Sequence, residues 1–314
     1  MSYIAAANFP NGWLGFELGV LRHLKFSSIA LPFTGESRFS QEMKNWDVRV
    51  AANDPMVWAY TKATALVENS SDRLTEEEID SIVDDAYVPH DRLDNPALLR
   101  WFNETDAWWF DTVRFNAERM STPYKRAVAL TVGMMVGDYV LSFDEETRHL
   151  REPLSLSRVF KKLASTLPPP FTSNLRHKAS NQDVRSFVAE RRQTDLLFLR
   201  LPTPTDSTSQ QKSSAWREEW LQGRDDFWED LERRRAGRLG SRVQSKQQYL
   251  GFVEDLLLTA AHIPTWAVVH TENGFISNDE LVETVGRLRR VNSVYSKDFS
   301  DLLGVRASIV TATS

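Results

Sequence analysis

Residues 195–204 read Asp-Leu-Leu-Phe-Leu-Arg-Leu-Pro-Thr-Pro, an apolar run that stops abruptly at a proline and a threonine. Such a run is the pattern of a buried strand whose carboxyl end opens into a loop. Earlier in the chain, residues 14–24 carry apolar side chains at helical spacing. Residues 28–33 and 48–52 read as short strands, and 56–67 as a further helix. Strand and helix therefore alternate, the order of a doubly wound α/β sheet. In such sheets the carboxyl ends of the strands carry ligands and catalytic groups.

The middle of the chain lacks this alternation. An acidic helix is expected over 75–86, an aromatic-rich stretch over 101–115 and a helix over 123–136, before a polar, basic segment ending at Pro168-Pro169-Pro170. The strand pattern resumes at 195–201 and 266–270, with an arginine-rich helical stretch between them, a helix over 278–290 and a late strand over 307–311. The expected organisation is an α/β core made of residues 1–67 and 180–314, with residues 68–179 as a mostly helical insertion.

Composition narrows the chemistry. The chain of 314 residues has no cysteine, which excludes disulfides, thiolate metal sites and a cysteine nucleophile. Its six histidines (His23, His90, His149, His177, His262 and His270) lack metal-ligand spacing. His270 ends a strand and is either an acid/base group or a satisfied core histidine. There is no glycine-rich phosphate loop and no Gly-x-Ser-x-Gly elbow. No apolar run approaches the ~18 residues of a membrane span, and the first ten residues lack the basic and apolar regions of a signal peptide. A cytoplasmic protein without a membrane or metal partner is expected. The net charge of −5 argues against indiscriminate nucleic-acid binding but allows a local basic face.

The motifs stand in a telling order: Asn11-Gly12-Trp13, then Leu31-Pro-Phe-Thr-Gly-Glu-Ser37, then Asn53-Asp54-Pro55. Lys125-Arg126-Ala127 leads through a helix to Gly137-Asp138-Tyr139. Asn181-Gln182-Asp183-Val184 precedes the strand at 195, and Trp266 to Asn273 precedes the last helix. In order and spacing these segments resemble the Dam-type (D12 class) adenine-N6 DNA methyltransferases. The resemblance implies a Rossmann-like methyltransferase sheet with an inserted helical target-recognition subdomain. It also implies S-adenosylmethionine as cofactor, held around Gly12, Phe33, Gly35 and Asp54, and flipped-out adenine as substrate. A plain strand-end turn with a helix cap is the alternative for Phe33, Gly35 and Asp54.

The same resemblance places Arg200, Leu201, Pro202 and Thr203 on the family's catalytic Asp-Pro-Pro-Tyr, where only Pro202 matches. A guanidinium has no acceptor for the amine that the aspartate would hold, and Thr203 has no ring to stack on a base. Trp13, Leu31 and Ser37 also replace the lysine, glutamate and second glycine of the cofactor motifs. The expectation is a catalytically degenerate methyltransferase-like protein that binds DNA or a protein partner, in the manner of restriction or phage-defence assemblies. The alternatives are an active methyltransferase with divergent motifs and a DNA-independent scaffold subunit. For DNA, the candidate contacts are Arg233, Arg234, Arg235 and Arg238, beside Gly237 and Gly240. A plain solvated loop explains them equally well. Residues 216–232 interleave acids with arginines and read as a salt-bridged helix. The ten tryptophans read mostly as core, with Trp108-Trp109 the alternative anchor for a protein partner.

Overall fold

The computed structural model describes residues 12–88, 93–144, 146–152, 154–203, 208–272, 275–299 and 306–314, without the side chains of 148 and 208–213. His90, Asn11, Pro204 and Asn273 lie outside the described residues.

The chain opens with α1 (Trp13–Leu21), β1 (Ser28–Leu31), α2 (Arg38–Asn45), β2 (Arg49–Asn53) and α3 (Val57–Ala63), the last running into a π-turn at Thr64–Glu68. A helical stretch follows: α4 (Glu76–Val83), α5 (Glu104–Glu118), α6 (Pro123–Leu141) and α7 (Leu156–Thr166). Then come β3 (Lys178–Ser180), α8 (Val184–Ala189), β4 (Leu196–Arg200), α9 (Thr208–Gln222), α10 (Trp228–Arg235) and α11 (Lys246–Thr259). The chain closes with β5 (Thr265–Glu272), α12 (Asn278–Leu288), β6 (Arg290–Asp298) and β7 (Arg306–Thr313).

The strands form one seven-stranded mixed sheet in the order β3-β2-β1-β4-β5-β7-β6. The first five are parallel, and β7 runs antiparallel to both β5 and β6. Strands buried on both faces need no polar alternation. In β1 and β4, Ile29, Leu31, Leu196 and Phe198 pack on one face with α1 and α2 residues such as Leu21 and Met43. Ala30, Leu197 and Leu199 pack on the other with Phe187 of α8, Leu257 of α11 and Val285 of α12. The sheet is thus an α/β layer with helices on both sides. At its amino edge the Asp195 carboxylate locks β4 to β1, accepting the backbone N–H groups of Ser27 and Ser28 at 2.8 and 3.0 Å.

A third apolar cluster lies among α3 to α7 and closes around two tryptophans of α9, Trp216 and Trp220. Helix α6 receives them at Gly133 and Gly137. A Cβ at either position would overlap the Trp220 or Trp216 ring, respectively. Residues 216–220 are therefore core, with Arg217 of the same helix ion-paired to Glu36 and Asp138. Strand β6 was not expected: its outer residues are exposed, and the sequence reading extended the preceding helix to residue 290.

Candidate functional site

Strand order reverses between β1 and β4, so the crevice outside their carboxyl ends is where such a sheet binds ligands. Phe33, Gly35, Asp54, Arg200 and Pro202 come together at this edge, as their strand-end positions require. Gly12 is the N-cap of α1, where a Cβ would meet Lys297 Nζ and the Phe299 ring.

The turn after β1 has two residues in the left-handed region, Gly35 at φ 55° and Ser37 at φ 58°. Glycine adopts this conformation at no steric cost, whereas a serine there is uncommon. The Ser37 hydroxyl is buried and has no hydrogen-bond partner among the described residues. Asp54 closes the turn: its Oδ2 accepts the Gly35 N–H at 3.0 Å and its Oδ1 the Met56 N–H at 3.0 Å. Burial pushes this carboxyl up to about 6, against the pull of those N–H groups and of Arg235.

At the end of β4 the Arg200 guanidinium grips Glu17 of α1 in a two-point ion pair, Nε to Oε1 at 2.7 Å and Nη2 to Oε2 at 2.6 Å. Glu17 is 0% exposed, and the guanidinium lies 4.8 Å from the Phe39 ring centre. Next along the chain, the Pro202 carbonyl accepts the Tyr249 hydroxyl at 2.7 Å, and Thr203 is half-buried.

The segment after α10 folds over this edge. Gly240 packs against Phe33 and Pro202, with its Cβ position 3.5 Å from the Phe33 ring. Leu239 is buried in the sheet's core. Of the four arginines singled out for DNA contact, Arg235 turns inward to the Met56 sulfur at 2.8 Å, facing Asp54 and Glu218. Arg238 pairs with Asp183 and Arg233 with Asp230. Arg234 is exposed, and its Nε donates to the Asp230 carbonyl.

Sequence reasoning missed the partners of this site. Glu17 falls on the first helix with no motif around it. Glu36, directly after Gly35, enters a buried charge network. It binds Lys62 at 2.5 Å and Arg217 at 2.5 Å, and Arg217 forks onto Asp138 at 2.9 and 2.7 Å. These residues come from the β1 turn, α3, α9 and α6, so no local sequence pattern joins them.

This network makes stability depend on pH. Burial alone would raise the Glu36 carboxyl, but Lys62 and Arg217 outweigh it and hold it at about 2. A depressed carboxylate adds stability above its unfolded value of 4.5, and that contribution drains away as pH falls toward 2. His177 acts higher up: burial and the Lys44 charge push it from 6.5 to about 4, so its contribution is lost as pH falls across that window. Asp54 works in the opposite sense, favouring the fold as pH falls from about 6 to 3.8. Urea unfolding at successive pH values is therefore expected to show a weakening below pH 4.5 that Glu36→Gln flattens. An unchanged slope in that variant would remove Glu36 as its cause.

Among the described residues no group of three or more His, Asp or Glu side chains is arranged to hold a metal ion, and no helix is long and apolar enough to cross a membrane. No protein-family model matches the chain, and no curated protein is significantly similar to it.

Proposed function

We propose that this chain is a methyltransferase-like protein of the Dam-type resemblance that has given up methyl transfer and acts by binding a partner. The carrying observation is the Glu17–Arg200 pair. Methylating an exocyclic amine requires an acceptor at the β4 carboxyl end to hold and polarise that nitrogen. Here that position holds a cation with no acceptor, its charge already matched by a buried glutamate.

The strand order, with β7 inserted antiparallel between β5 and β6, supports the Rossmann-like methyltransferase sheet that the resemblance implies. So does Ser37, which keeps a backbone conformation that suits the glycine the family has there. The residues present do not fit S-adenosylmethionine. Asp54 is buried with both oxygens engaged by backbone N–H groups, and Gly240 covers the Phe33 ring.

Charge weighs on the choice of partner. Arg233 and Arg238, with neighbouring Arg242, already pair with carboxylates of this chain, and the net charge is −5. Phosphate contacts would have to displace those pairs, which favours a protein partner over duplex DNA. A bacterial restriction or phage-defence assembly is the setting the resemblance suggests. The retained Gly35–Ser37 turn favours, as a second reading, an active methyltransferase with divergent motifs.

Incubation with labelled S-adenosylmethionine and adenine-containing duplex separates the two. No incorporated label is expected, and no calorimetric heat from the cofactor alone. Methyl transfer that disappears on Asp54→Ala would overturn the proposal.

A further inference from the structure

Helix α2 is amphipathic, with Phe39, Ser40 and Met43 turned toward the sheet. Lys44 is buried with them, only 1% exposed. Its Nζ donates to the Asn69 carbonyl at 2.6 Å, at the end of the π-turn that follows α3. Among the described residues no carboxylate pairs with it, and burial lowers its amine to about 8. An ammonium removed from water without a counter-charge is costly, and one carbonyl satisfies only one of its three donors. π-turns are themselves uncommon and recur at functional sites.

Lys44 lines a cavity of about 460 Å³ that shares no residue with the carboxyl-edge crevice. This is within the roughly 300–1,000 Å³ of small-molecule sites. Its walls include Leu66 of the π-turn, Leu167 and the Pro168–Pro170 run after α7, and the half-exposed ring of Phe171. Two carboxylates also border it. Asp72 is engaged by the hydroxyls of Thr122 and Ser71. Glu42, two positions before Lys44 on the same helix, makes no ion pair with it. The exposed Arg73 adds a second cation to the lining.

We propose that this cavity binds a small organic carboxylate, its anionic head bonded to Lys44 Nζ and its apolar body lying against Leu66, Leu167 and Phe171. The head supplies the counter-charge the buried amine lacks, and the body covers the apolar walls. A purely inorganic anion would leave those walls wet, and a neutral ligand would leave the charge unmatched.

Titration calorimetry on the full chain with octanoate, and with 1-octanol as its neutral counterpart, tests this. Saturable octanoate binding is expected, tighter than octanol by roughly tenfold or more, the weight of one charge-assisted hydrogen bond. Lys44→Met should erase that preference. Ala164→Phe, which intrudes on the cavity from α7, should weaken both ligands while circular dichroism confirms the fold. Equal binding of acid and alcohol, retained preference in Lys44→Met, or no saturable octanoate binding would each overturn the assignment.

Discussion

Replacing Glu17 with alanine will lower the unfolding free energy by roughly 3–5 kcal/mol, the cost of stranding one partner of a buried ion pair. Glu17 is 0% exposed and only 18% of the Arg200 side chain is exposed, so the pair is largely shielded from water. The guanidinium cannot shed its charge. Arg200→Leu should cost about as much, because it leaves the carboxylate buried alone. Removing both charges is a different matter. With Glu17→Met and Arg200→Met together, thioethers can fill the space beside the stacked Phe39 and Phe198 rings, and the double variant should be close to neutral. Urea unfolding of the four proteins forms a double-mutant cycle. If the single changes cost under about 1 kcal/mol, the pair is solvent-screened in solution.

The second large effect runs against helix propensity. Alanine is favoured over glycine inside a helix by ~1 kcal/mol, so Gly137→Ala in α6 would stabilise an isolated helix. In this fold it will destabilise instead. A Cβ there would overlap the Trp216 ring, lying 2.6 Å from Cζ2 and from Cζ3. The ring cannot yield easily: Trp216 is 1% exposed and packs edge-on to Phe102 and Phe110. Overpacking of this kind costs roughly 1–3 kcal/mol and occasionally more, which outweighs the propensity gain. Gly133→Ala should behave alike, because Trp220 is fixed by its Nε1 bond to the Phe110 carbonyl at 2.8 Å. Pairing Gly137→Ala with Trp216→Leu should recover part of the loss in thermal unfolding. If Gly137→Ala raises the melting temperature, the indole seat does not form.

The parts of this fold that were legible in sequence are those set by local pattern. The apolar runs at 28–33 and 195–201 became β1 and β4 because a strand buried on both faces must be apolar throughout. The helix expected from residue 278 formed as α12, and a Ser277–Glu280 capping box closes its first turn. Strand β6 was hidden because only its inner residues, such as Val291 and Tyr295, are shielded, and β-pairing to β7 rather than composition fixes it. At the crevice, Phe33, Gly35, Asp54 and Arg200 were singled out through the family resemblance together with their places at strand ends. Glu17, Glu36 and Arg217 could not, since each finds its partner across a large sequence separation. The arginine cluster was legible as charge, and Arg233–Asp230 is a local i,i+3 pair within α10, but the pairing of Arg238 with Asp183 depends on how the chain returns over the sheet.

The two indoles of α9 also bear on the order in which the molecule can be completed. Helices α4 to α7 are synthesised before β4, yet the core they share is closed by Trp216 and Trp220, which follow β4. A nascent chain that has reached only α7 therefore exposes apolar surface that nothing yet made can cover. Closing that core waits on contacts of long sequence separation, the kind that slow folding. The helical layer thus depends on later synthesis for its last two core side chains.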